Sequence, residues 1–283
     1  MGKVKSLKKR SGKVIRDRHI LYNAAVQSVD ADIDFFQRVY KRKRGKPFRL
    51  LKEDFCGTAA LSCTWVKRDK KNEAWGVDLD QPTLDWGIKH YVPTLDGASD
   101  RLHLICDDVM AVTEPAVDVV AALNFSYSVF KTRPQLLTYF KKVRQSLLDG
   151  GVFFLDLLGG SETMDSMVEK RRIPAETTMD GIRVPAFTYV WDQVSFNPIN
   201  HDLHCRIHFR LPDGKHIKRA FDYDWRLWTL PELQELMLEA GFAEAEVYLE
   251  GWDDDEDEAD GIYRRRTKAE NQSAWVAYVV GLV

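Results

Sequence analysis

Short apolar runs recur along the first half of the chain: Arg49–Asp54, Ala74–Asp80, Leu102–Cys106, Val117–Leu123 and Val152–Leu158. Their length suits buried strands. Between them lie stretches of helical period. Ala59–Arg68 turns Leu61, Thr64 and Trp65 inward, a second stretch opens at Pro82 and runs towards Tyr91, and Pro134–Leu148 is stopped by Asp149-Gly150-Gly151. Strands alternating with helices predict right-handed βαβ units and a parallel sheet covered on both faces. Ahead of them, His19–Tyr40 predicts two helical pieces hinged near Ser28-Val29-Asp30, and Lys41–Pro47 reads as a linker.

The alternation breaks after Gly160. Residues 161–180 are polar and read as helical. From Val184 to Trp225 the pattern is strand-like, with turns at Asn197-Pro198-Ile199-Asn200 and Pro212-Asp213-Gly214. Thr229-Leu230-Pro231-Glu232 is a helix start, with Thr229 as N-cap, and the helix runs to Ala240 and stops at Gly241. Ala245–Leu249 and Trp275–Gly281 predict two last strands. The expected fold is α/β: a seven-stranded, mostly parallel sheet with helices on both faces and an antiparallel β insertion. The expected organisation is a basic tail and helical cap over residues 1–47, an α/β core over 48–160 and 226–283, and a β-rich insertion over 161–225.

In open parallel sheets, ligands lie beyond the C-terminal ends of the strands. Here successive strand ends carry Glu53 and Asp54, Asp78 and Asp80, Asp107 and Asp108, and Asn124. Core strands have no packing need for acids at those places. The first run leads through Cys56-Gly57-Thr58 into a helix, a cradle in which backbone N–H groups and small residues meet a ligand closely.

Composition changes little. The 283 residues are 45% apolar and 30% charged with a formal net charge of −2, so no global charge argument points to nucleic acid or membrane. The charge is uneven, however. Basic residues crowd Lys3–Arg18 and Lys41–Lys46, and acids crowd Asp253–Asp260, read as a solvated loop. The four cysteines form no C-x-x-C pair, which argues against zinc or a disulfide framework. No apolar run reaches membrane-spanning length, and the basic N-terminus lacks a secretory apolar region. The expectation is a cytoplasmic protein.

This order of residues resembles the class I S-adenosylmethionine-dependent methyltransferase family, over residues 48–160 and 226–283. Glu53-Asp54-Phe55-Cys56-Gly57-Thr58-Ala59 looks like its first motif, with Phe55 and Ala59 where glycines are usual. Gly76-Val77-Asp78-Leu79-Asp80 is similar to the second, and Cys106-Asp107-Asp108-Val109 to the third. Leu147–Gly151 and Leu238–Phe242 fit as well, and the resemblance implies a Rossmann-like core whose sheet ends in an antiparallel last strand. The resemblance implies S-adenosyl-L-methionine as cofactor. It places Glu53, Phe55, Cys56, Gly57 and Thr58 at its amino-acid end, Asp78 on the ribose hydroxyls and Leu79 against adenine. Asp107, Asp108 and Val109 then flank the adenine amino group, and Tyr22 of the cap reaches the methionine end. Acids at the strand ends would repel phosphate, yet they suit hydroxyls, an amino group, an ammonium and a sulfonium. A β insertion between the fifth strand and last helix resembles family members that act on small molecules, where it lids the site.

Methyl transfer from a sulfonium asks mainly for alignment and exclusion of water, so no catalytic triad is expected. Asn124-Phe125-Ser126-Tyr127 has the spacing of an Asn-Pro-Pro-Tyr motif without its prolines, which makes Asn124 and Tyr127 the catalytic candidates. The plain structural reading is that Asn124 caps a turn and Tyr127 packs. Tyr127, Trp191, Tyr223 and Trp225 are candidates for a pocket that holds a cationic or planar substrate, against ordinary core packing. His201, His204 and His208 lie in a strand pattern and are not read as a metal site. The leading function is methyl transfer to a small molecule. The alternatives are an RNA or other macromolecular methyltransferase using the basic N-terminal segment, and a cofactor-binding scaffold without activity. A Rossmann oxidoreductase is disfavoured, because no G-x-G-x-x-G follows the first strand.

Overall fold

The computed structural model describes residues 14–253 and 258–283. The basic run Lys3–Lys13 and residues Asp254–Asp257 of the acidic run lie outside the described residues. In chain order the elements are α1 (Arg18–Val26), α2 (Val29–Arg44), β1 (Leu50–Asp54), α3 (Ala60–Arg68), β2 (Glu73–Asp78), α4 (Gln81–His90), β3 (Leu102–Cys106) and β4 (Val117–Ala122). Then come α5 (Arg133–Gln145), β5 (Leu147–Gly159), β6 (Met167–Ile173), β7 (Glu176–Thr177), β8 (Arg183–Val184), β9 (Phe187–Phe196), β10 (Asp202–Arg210) and β11 (His216–Arg226). The chain closes with α6 (Leu230–Glu239), β12 (Glu244–Asp253), β13 (Glu258–Arg265) and β14 (Trp275–Leu282).

The main sheet has eight strands in the order β13-β12-β14-β5-β4-β1-β2-β3. Strands β3, β2, β1, β4 and β5 run parallel, as the alternation predicts, and β14 is antiparallel to β5, as the family resemblance implies. Strand order reverses between β1 and β4, which opens a crevice above their C-terminal ends. One face is filled by α2 and α3, with Phe48 stacked on Trp65 at 4.1 Å and Phe36 on Phe154 at 4.2 Å. The other is filled by α5 and α6, around Tyr139, Phe140, Phe153 and Trp228. Each such side chain contributes roughly 1.5–3 kcal/mol on burial.

A second, four-stranded antiparallel sheet runs β11-β10-β9-β6. Its apolar face packs on α1, where Ile20, Leu21 and Ala25 meet Phe187, Ile207 and Phe209. The first helix and the insertion therefore form one packed unit.

Four expectations are corrected. Residues 161–180 are not helical: after a short 3-10 turn at Ser161–Met164, β6 pairs residue by residue with β9. It is an edge strand lined with Glu169, Lys170, Arg171 and Arg172, the charges that keep an edge from pairing further and that erase any apolar period. Lys41–Arg44 is no linker but the last turn of α2, where cations suit the helix C-terminus, and Gly45 ends it at φ 70°. The helix predicted to reach Leu148 stops at Gln145, because Leu147 already pairs with Val117, and Asp149-Gly150-Gly151 bulges inside β5. The sheet gains an eighth strand, β13, which begins inside the acidic run read as a loop and runs on beyond it, with Arg265 Nε 2.8 Å from Glu246 Oε1.

Candidate functional site

The turn after β1 follows a glycine-like path without being glycine-rich. Phe55, Gly57 and Ala59 all hold positive φ, at 57°, 54° and 57°. Phe55 and Ala59 thus hold a left-handed backbone without being glycine, at a cost of about 1–2 kcal/mol per residue. What holds Phe55 there is packing, since its ring lies edge-on to Tyr139 at 5.7 Å and to Phe130 at 6.0 Å. Cys56 turns its buried thiol towards Leu84 and away from the crevice, and its backbone N–H and C=O are engaged by Val77 and Ala59.

Asp78, at the end of β2, ties this turn to its neighbour. Its Oδ2 accepts from the Gly57 N–H at 2.7 Å and its Oδ1 from the Asp80 N–H at 2.9 Å. Helix α4 then presses on the turn from outside: a Cβ on Gly87 would collide with the Thr58 carbonyl. From the other side Asn23 of α1 donates to Thr58 Oγ1 at 3.3 Å and to the Tyr91 hydroxyl. Asp17, ahead of α1, accepts from Trp86 Nε1 at 2.8 Å. The cap is therefore fastened to the cradle.

The acids at the strand ends divide by role. Glu53 and Asp54 alternate to opposite faces of β1. Glu53 is buried, and its Oε2 accepts from both the Ser62 N–H (2.9 Å) and Oγ (2.5 Å). Burial raises its pKa to about 7 against those hydrogen bonds. Asp54 meets Lys52 at 2.7 Å and the Tyr139 hydroxyl at 2.9 Å in the core, and burial raises its pKa too. Asp107 is exposed beside Asp78, its N–H bonded to the Asp78 carbonyl. Asp108 is bound to the Met110 N–H at 2.8 Å, and Val109 buries its side chain in the core. Leu79 stands 70% exposed next to these acids, an apolar platform at the crevice.

A cavity of about 760 Å³ opens over the C-terminal ends of β4 and β5 and the N-terminal end of β14, enclosed by α1, α2 and the insertion sheet. Trp191, Tyr223 and Trp225 form one wall, with ring centroids 4.3 Å apart for Tyr223 and Trp225 and 6.2 Å for the two tryptophans. Tyr22 faces them from α1, in hydrogen-bonding reach of Tyr223. Asn124 lines the floor, and it and Phe125 adopt left-handed φ of 58° because Asp156 accepts both their N–H groups, at 2.8 and 2.9 Å.

Tyr127 is corrected. It is 0% exposed, packs in the core beneath the β4 loop and does not line this cavity; Phe125 does. The structure thus joins Tyr22, Asn124, Trp191, Tyr223 and Trp225 around one space, and Phe55–Ala59, Asp78, Leu79 and Asp107 along the adjoining crevice. Asp156 and Asp32, both lining the cavity, escaped the sequence reading. Burial raises Asp156 to about 7 and Asp32 to about 6. A lone acid inside the apolar run Val152–Leu158 was the available signal. A further cavity of about 800 Å³, between β12, β14 and residues 266–274, is lined by none of the residues at the crevice.

No protein-family model and no curated protein sequence matches the chain. Solved structures match its fold. SAM-bound CalS10, an amino pentose methyltransferase from Micromonospora echinaspora, is similar at TM-score 0.66 and 14% identity, over 97% of this chain and 100% of its own. Streptomyces venezuelae DesVI is similar at TM-score 0.65 and 16% identity, over 93% and 95%. An S-adenosylmethionine-dependent methyltransferase from Clostridium acetobutylicum is similar at TM-score 0.63 and 17% identity, over 93% and 97%. The chain has the fold of these proteins over 93–97% of its length.

Proposed function

We propose that this chain is an S-adenosylmethionine-dependent methyltransferase that acts on a small molecule. The observation that carries the reading is the left-handed turn Phe55–Ala59 held by Asp78 at the strand-order reversal, beside an enclosed aromatic cavity. The residues fit the cofactor. Asp78 keeps free lone pairs for two ribose hydroxyls, Leu79 offers a bare apolar face to adenine, and the exposed Asp107 can accept from the exocyclic amino group. The small residues of the turn, Gly57 and Ala59, leave room for the amino-acid end. SAM-bound CalS10 shares this fold over its whole length.

When bound, S-adenosylmethionine supplies a methyl group on an already activated sulfur leaving group. The chain's residues then have to place the acceptor and keep water out. Asp156 fixes the Asn124 loop at the junction of crevice and cavity, and Trp191, Tyr223 and Trp225 wall the acceptor in. Residues 1–47 act as cap, 161–225 as lid, and 48–160 with 226–283 as core. A cytoplasmic location accords with the free cysteines. The RNA reading is weakened by the second basic run, where Lys43 pairs with Glu246 at 2.8 Å and Arg44 donates to the Val283 carbonyl, two of its five cations being engaged within the chain.

Thermal unfolding tests the proposal. S-adenosylmethionine or S-adenosylhomocysteine should raise Tm, and Asp78→Ala should abolish most of that shift. No shift with either at millimolar concentration, with a shift by NADH, would overturn it.

A further inference from the structure

We infer that the acceptor is a compact amine, bound as its ammonium between Asp32 and Asp156 on one side and the Trp191–Tyr223–Trp225 wall on the other, and passing one proton to one of these carboxylates so that its nitrogen lone pair is free to take the methyl group; the inference rests on the methyltransferase reading. Asp156 of β5 and Tyr278 of β14 are direct cross-strand partners, so their side chains share one face of the sheet. The Tyr278 hydroxyl donates to Asp32 Oδ1 from the N-terminal turn of α2. The three side chains make a continuous row along the cavity wall.

Neither carboxylate of that row has a cation. Among the described residues no lysine, arginine or histidine forms an ion pair with Asp32 or Asp156. The two arginines that line the cavity are spent elsewhere. Arg171 donates to the Ala25 carbonyl and lies 5.3 Å from the Tyr189 ring; Arg38 donates to the Tyr263 carbonyl at 2.9 Å and lies over Phe35. Two carboxylates enclosed without a counter-ion are costly unless a cation arrives. The facing aromatic rings add the second half of an ammonium site, since ring faces attract desolvated cations. Burial raises both carboxylates, which is what such a site shows before its cation enters. A carboxylate-bearing acceptor would instead be repelled, and a neutral alcohol would leave the charge uncompensated.

The test is isothermal titration of cyclohexylamine and of its neutral isostere cyclohexanol into the full chain saturated with S-adenosylhomocysteine. The amine should bind at least tenfold more tightly than the alcohol. Asp32→Asn keeps an acceptor for Tyr278 and should lower the amine's advantage to about threefold or less while leaving S-adenosylhomocysteine affinity within twofold. Asp156 is the poorer variant, because the Asn124 and Phe125 N–H groups depend on it. Equal affinity for amine and alcohol, or no binding of either, overturns the inference. So does an Asp32→Asn protein that folds and keeps the full preference. Failure of S-adenosylhomocysteine to bind in the first place overturns the methyltransferase reading instead, so the two failures are told apart.

Discussion

The backbone N–H of Gly57 donates to Asp78 Oδ2 at 2.7 Å, joining the turn after β1 to the end of β2. One carboxylate therefore shapes the cradle and, in the proposed function, also takes the ribose hydroxyls. Charge-assisted bonds of this kind contribute about 1.5–3 kcal/mol each. Asp78→Asn is expected to weaken S-adenosylhomocysteine about ten- to a hundredfold in calorimetry, with a smaller loss of Tm. Unchanged affinity would remove Asp78 from the site.

Gly87 lies inside α4, where glycine costs about 1 kcal/mol of helix stability relative to alanine. Its presence is explained by contact with the Thr58 carbonyl. Gly87→Ala should thus lower Tm although it improves helix propensity, by roughly 1–3 kcal/mol of overpacking. It should also weaken S-adenosylhomocysteine, because α4 is forced off the turn. A rise in Tm would show that the close approach is not real.

Phe55 and Ala59 share a left-handed backbone but differ in what holds them. Ala59→Gly is expected to leave stability within about 1 kcal/mol, since relief of the backbone offsets one lost methyl. Phe55→Gly should destabilise despite the same relief, because the ring against Tyr139 and Phe130 is lost. Denaturant unfolding of the two variants decides it; equal effects would count against packing as the cause.

Stability should fall as pH rises from 5 to 8. Burial raises Glu53 from 4.5 to about 7, so the folded state holds this proton more tightly than the unfolded chain. Its contribution is fully present below the unfolded value and is lost as pH passes the folded one, about 3 kcal/mol in all. Asp156, raised from 3.8 to about 7, acts in the same direction. Glu53→Gln keeps an acceptor for Ser62 and removes the charge, so its Tm should exceed that of the natural chain at pH 8 and its pH slope should be flatter. A parallel pair of Tm curves would refute the assignment.

Periodicity and residue chemistry along the sequence determined the alternating strands and helices, the capped starts such as Thr229–Glu232, and the acids at three strand ends. These are local properties: burial of one face repeats every two or 3.6 residues, and a strand's end is where its apolar run stops. The aromatic residues of the insertion were legible for the same reason. Tertiary structure alone decided the rest. Edge strands β6 and β13 carry no apolar period, because one side of each meets water, and only their partners β9 and β12 reveal them. That Phe125 enters the cavity while Tyr127 is buried depends on a loop bent by Asp156, distant in sequence. Asp32, Tyr278 and Asp156 form a row only because α2, β14 and β5 converge. No spacing along the chain encodes a meeting of three segments so far apart.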